Sequence, residues 1–77
     1  MSYGFAWHPA ALAIFHRLRM HEATAVDRAV IRFAETGEGA VVHDPPYYWL
    51  RGGTHYAVLA IDHAERMVTV LRVVRAR

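Results

Sequence analysis

Residues Leu50–Arg77 read LRGGTHYAVLAIDHAERMVTVLRVVRAR, and this stretch decides the fold. Two apolar runs, His55–Asp62 and Met67–Val74, are joined by the short polar link Asp62–Arg66. Both runs are rich in Val, Leu, Ile and Thr, whose branched side chains suit a pleated surface better than a helix. Period-two alternation puts His55, Ala57, Leu59 and Ile61 on one face and Tyr56, Val58, Ala60 and Asp62 on the other. In the second run, strict alternation groups Val68, Val70, Arg72 and Val74 against Thr69, Leu71, Val73 and Arg75. Both faces are partly apolar, so the stretch reads as a central hairpin covered on one side by helices.

The flanking sequence fills in the rest. Tyr47–Arg51 (YYWLR) is a short strand closed by the Gly52-Gly53 turn. Glu38–Pro46 reads as a loop or irregular strand, because Pro45-Pro46 cannot pair regularly in a sheet interior. Tyr3, Phe5 and Trp7 alternate with Gly4 and Ala6 as a first strand. His8-Pro9 then marks a helix entry, with proline in the first turn and His8 placed to cap it. Ala11, Leu12, Phe15 and Leu18 line one face of a helix over Pro9–His21. A second helix over Thr24–Thr36 starts at a Thr24 cap with Asp27 three residues on. It carries Val26, Ala29, Val30, Phe33 and Ala34 inward and ends at Gly37. The expected fold class is α+β, in the order β-α-α-β-β-β. A helical hairpin packs on one face of a small antiparallel sheet, and residues 1–77 form a single domain.

Composition narrows the function. The chain has 77 residues, no cysteine and a formal net charge of +2. A chain this short buries only about 60–65% of its unfolded surface, so its core is thin. The lack of cysteine excludes disulfides and thiolate metal sites and fits a reducing, cytoplasmic setting. No apolar run approaches the ~20 residues of a membrane span, and MSYGFAWHPAA lacks the pattern of a signal peptide. Apolar residues make up 55% of the chain, so a partner is expected to cover part of the surface. All nine basic residues are arginine, the side chain whose planar fork suits phosphate and carboxylate. Arg72, Arg75 and Arg77 cluster at the end of the last strand, with Arg51 one strand away.

The histidines give no metal site. His16 and His21 are five apart rather than four, and HEATA lacks the second histidine of HExxH. No phosphate loop, Ser-His-Asp set or pair of catalytic carboxylates can be assembled, and no cofactor is expected.

YAVLAID and MVTVLRV resemble the C-terminal hairpin of RelE/ParE superfamily toxins, which commonly read GdYRVLYEID and RTVTVLRVGHR here. Asp62, Arg66, Val68, Thr69, Val70, Leu71, Arg72 and Val73 fall on family-typical positions. YGFAWHPAAL resembles the family's opening strand-to-helix junction, so the likeness spans nearly the whole chain. It implies the toxin of a type II toxin–antitoxin system, with a cognate antitoxin as partner. RelE-type members cut mRNA on the ribosome by attack of a ribose 2′-hydroxyl on the adjacent phosphate. That chemistry needs proton transfer and cations around the phosphate. The arginine of the family's YRV motif is replaced here: its position falls on Tyr56, or on Ala57 in the alternative register. One basic position of the closing GHRR-like segment is Ala76.

The candidate catalytic set is therefore Arg51, Arg75 and whichever of His55 and Tyr56 faces outward, with His43 and Tyr48 nearby. Arg51, Arg72, Arg75 and Arg77 are the candidate RNA-binding residues. Two further readings stay open. One is a ParE-like toxin that binds DNA gyrase without nuclease activity. The other is a degenerate member that keeps only the fold and the grip on its antitoxin. A homodimer is the competing way to cover the apolar surface.

Overall fold

The computed structural model describes residues 1–77. The elements are β1 (Gly4–Trp7), α1 (Pro9–Phe15), α2 (Met20–Thr36), β2 (Val41–Asp44), β3 (Tyr47–Gly52), β4 (His55–Asp62) and β5 (Met67–Arg75). The five strands form one sheet in the order β1-β5-β4-β3-β2. Strands β2 to β5 run as an antiparallel meander, while β1 pairs with β5 in parallel. The sheet is therefore mixed rather than wholly antiparallel, and the longest strand, β5, lies inside it.

Both helices cover the same face. The core joins Ala11 of α1 and Val26, Val30, Phe33 and Ala34 of α2 to Leu50, Ala57, Leu59, Val68, Val70 and Val73 of the sheet. The inward residues expected of the second helix are those that pack. Gly37, left-handed at φ 77°, ends that helix as its sequence position implies. Its last turn is tied to the chain start: the Ser2 and Tyr3 N–H groups donate to the Glu35 and Ala34 carbonyls. Carbonyls that a helix end leaves unpaired thus find partners. His8 caps α1 by accepting the Ala10 N–H at 3.1 Å.

The helix boundary differs from the expected one. The first helix stops at Phe15, not His21, and the second starts at Met20, not Thr24. Residues 16–18 make a tight turn in which the Arg17 and Leu18 N–H groups donate to Ile14 and Phe15. The cap that wins is Glu22, whose carboxylate accepts the Arg19 N–H at 3.1 Å, so Thr24 lies one turn inside the helix. Periodicity hid the break because Leu18 packs against the core from the turn as it would from a helix.

The stretch expected to be loop or irregular strand contains β2, an edge strand with no buried residue. Pro45-Pro46 forms its turn to β3, where neither residue owes a ladder bond.

The alternation expected along β5 breaks in the middle. Leu59 pairs with Val70 but Val58 pairs with Arg72, so Leu71 is an extra residue without a partner, a β-bulge. Val68 and Val70 face the helices before the bulge, and Val73 faces them after it. Arg72 thereby moves to the open face, beside Val58, and Arg75 to the helix side, opposite His55.

The β3–β4 corner sets the distance between sheet and helix. A Cβ on Gly52 would lie 2.8 Å from the Val26 Cα and 3.2 Å from the Ala25 carbonyl oxygen, both backbone atoms of α2. Gly53 leads the two-residue turn at φ 63°, the sign such hairpins need. Gly52→Ala should therefore destabilise the protein by about 1–3 kcal/mol, the usual range for overpacking. At this chain length each kcal/mol lowers Tm by roughly 4–8 °C. At Gly4 the added Cβ meets only the flexible end of Met67, 3.3 Å away. Gly4→Ala is the control and should change stability by less than about 1 kcal/mol. Thermal denaturation of the two variants checks the contrast.

Candidate functional site

The helices leave one face of the sheet open, and three of the expected residues, Arg51, Tyr56 and Arg72, lie on it. Trp49 and Arg51 lie on one face of β3, because they are two residues apart. Tyr56 pairs with Arg51, and Val58 pairs with both Trp49 and Arg72. The Arg51 Nε donates to the Gly53 carbonyl, and its Nη1 donates to the Tyr56 hydroxyl at 3.4 Å. The guanidinium carbon stands 5.2 Å from the Tyr56 ring centroid. Tyr56 in turn meets Trp49 edge to face, with centroids 5.8 Å apart at 73°. A turn carbonyl and an aromatic ring thus hold Arg51 while leaving the residue exposed. Arg72 is also exposed and makes no ion pair.

Beside this group lies a shallow cavity of about 410 Å³ lined by Val42, His43, Asp44, Trp49 and Tyr56. His43 is fixed by stacking on Tyr48 at 4.2 Å and 5°. Asp44 makes no ion pair and no side-chain hydrogen bond.

The other two expected catalytic residues are on the opposite side. His55 is 5% exposed, and its Nδ1 is 2.9 Å from the Thr54 Oγ1. Thr54 donates to the Glu22 Oε2 at 3.4 Å. Thr54 thus links the Glu22 carboxylate to the His55 ring nitrogen. Arg75 Nη1 is 3.8 Å from the same Glu22 oxygen. Arg51, His55, Tyr56 and Arg75 therefore do not form one site. Tyr56 is the residue of the pair 55/56 that faces outward, and the bulge carries Arg75 away from it. Arg77 lies beyond β5 and is exposed. The signal for the bulge in the sequence is Arg72, a charged side chain that strict alternation would turn inward with Val68 and Val70. Asp44 escapes the sequence reading because its stretch reads as loop or irregular strand, and Trp49, though placed in a strand, carries no titratable or charged group to mark it as a site residue.

The Glu22 cluster has a structural explanation. The Arg19 N–H holds the Glu22 carboxyl below the usual carboxylate range, against the opposing effect of burial, and the charges of His55, Arg75 and His21 add to it. A depressed folded-state pKa means that the unfolded chain binds more protons through that window. The stabilisation is complete above the unfolded value of about 4.3 and is lost as pH falls through the folded one. Glu22→Gln should be less stable than the native chain at neutral pH, and the gap should narrow as pH falls below about 4. Urea titrations at neutral and acid pH check this. No group of three or more His, Cys, Asp or Glu side chains comes together. No helix is long and apolar enough to cross a membrane.

No protein-family model and no curated protein matches the sequence. Solved structures do match. A chain of the toxin–antitoxin complex RelBE2 from Mycobacterium tuberculosis superposes with a TM-score of 0.72 at 20% identity, covering 99% of this chain and 100% of that one. A chain of the archaeal RelE–RelB complex from Pyrococcus horikoshii gives 0.79 at 10% identity, covering 97% and 96%. A chain of the Escherichia coli RelBE complex gives 0.77 at 18%, covering 97% and 98%. Over nearly the full length of both partners, this is the RelE toxin fold.

Proposed function

We propose that this chain is the toxin of a type II toxin–antitoxin system and acts by cleaving mRNA on the ribosome. The reading is carried by the Arg51–Tyr56 pair, which shares with Arg72 the sheet face that the helices leave uncovered in this RelE-like fold. Arg51 and Arg72 supply permanent positive charge to a phosphate, and the Arg51 fork can grip two of its oxygens. The Tyr56 hydroxyl accepts from Arg51, which leaves its own hydrogen free to donate toward the leaving oxygen. Trp49 offers a ring on which a base can stack, worth about 1–3 kcal/mol. His55 and Arg75 act as supports of the β3–β4 corner, and Arg77 is an auxiliary contact.

A cognate antitoxin is the natural partner. Only 14 of 77 residues are buried, so much apolar surface stays outside the core. Met20 is 86% exposed at the start of α2 and Val42 is 63% exposed on the edge strand. An amphipathic helix or an added strand from an antitoxin would cover such surface.

Induced expression in a bacterial host, followed by mapping of mRNA ends, tests the activity. Arg51→Ala should lower cleavage about a hundred- to a thousand-fold, the usual cost of one electrostatic contact to a transition state. Tyr56→Phe and Arg72→Ala should also lower it, while Arg75→Ala should act only through stability. Cleavage that survives the first three changes rejects this site. Growth arrest with gyrase-dependent DNA damage and no cleavage assigns the protein to the ParE-like reading. Folded protein with no effect on growth assigns it to the degenerate one.

A further inference from the structure

The cavity on the open face has a polarity that the phosphate chemistry does not use. On β3, Tyr47, Trp49 and Arg51 lie on one face about 7 Å apart in turn. Asp44 pairs with Tyr47, so the line runs from a carboxylate, over an indole, to a guanidinium. Asp44 is unpaired and borders the cavity, Trp49 lines its middle, and Tyr56 closes the end that leads to Arg51. One kind of ligand matches this order: a base with donors on its edge, a flat face, and a phosphate beyond it.

We propose that this cavity is a base-reading subsite for a guanine nucleotide of a single-stranded RNA, an inference that rests on the RNA-cleaving reading above. Charge fixes the direction. A phosphate is repelled by Asp44 and attracted by Arg51, so the base points toward β2. The two Asp44 oxygens accept hydrogen bonds only. Guanine presents two parallel donors there, N1–H and the N2 amino group. Adenine and cytosine present one amino group beside a ring-nitrogen acceptor that faces the carboxylate, and uracil presents a single N–H between two carbonyl oxygens. Single-stranded RNA is recognised on such exposed edges, with aromatic side chains under the rings. Val42 adds an apolar wall from β2, the strand that also supplies Asp44.

The test uses the folded full-length chain labelled with ¹⁵N and four probes: the 3′-monophosphates of guanosine, adenosine, cytidine and uridine. The readout is the indole N–H signal of Trp49 together with the Asp44 amide. The inference expects 3′-GMP to shift both and to bind at least about tenfold more tightly than the other three, in line with the discrimination of one bidentate contact. Asp44→Asn, at an exposed edge position, should abolish that preference and move it toward adenine, the base that an amide pairs with. A trinucleotide with central guanosine should bind at least as well as 3′-GMP. Equal binding of all four nucleotides, shifts that avoid Trp49, or a preference unchanged in Asp44→Asn each overturn the inference. Binding of 3′-GMP but not of the trinucleotide overturns its assignment to RNA. The outcome is independent of the cleavage assay. Selective binding without cleavage leaves the subsite standing, and cleavage with no nucleotide selectivity removes the subsite alone.

Discussion

The bulge at Leu71 is the constraint on which the rest depends. Val68, Val70 and Val73 must all face the helices, and an unbroken strand cannot place residues three apart on one side. Without the extra residue, Val73 would turn to solvent and Arg72 would turn into the core against α1 and α2. Each valine side chain buried is worth about 1.5–3 kcal/mol. An unpaired guanidinium in that place would cost several kcal/mol, because its hydration is lost without a partner. The packing demand and the charge demand agree, and one unpaired residue satisfies both.

Function follows from the same geometry. The bulge sorts the arginines of β5, sending Arg72 to the open face and Arg75 to the helix side. On the helix side Arg75 joins Glu22, Thr54 and His55, a chain that ties the start of α2 to the β3–β4 corner. The backbone contact at Gly52 closes that corner. The open face carries Trp49, Arg51, Tyr56 and Arg72 beside the buried Val58, outside the core that the helices cover. Residues that hold the fold and residues available for chemistry are thus separated by the sheet.

Much of this was legible in the sequence. The apolar spacing of α2, the hairpin from His55 to the end and the stop at Gly37 all follow from local periodicity and turn chemistry. The failures came where tertiary contacts outweigh local signals. Glu22 caps α2 from within a continuous apolar pattern, so the helix break at residues 16–19 left no gap in periodicity. β2 has no buried residue and reads Val-Val-His-Asp, so alternation could not reveal it. The parallel pairing of β1 with β5 is a long-range choice that neither strand encodes alone. For the candidate site, the sequence puts Arg51 in the set but leaves His55 and Tyr56 as alternatives, and only the register shows Tyr56 beside Arg51. Their separation from His55 and Arg75 depends on one residue in β5.

The register of β4 against β5 is the most direct test. Cross-strand nuclear Overhauser effects across this pair should connect Val58 with Arg72 and Leu59 with Val70, skipping Leu71. The Val73 methyls should show contacts to the helices, and the Arg72 side chain should show none. An unbroken ladder pairing Val58 with Leu71, with Arg72 side-chain contacts to α1 or α2, would contradict the account.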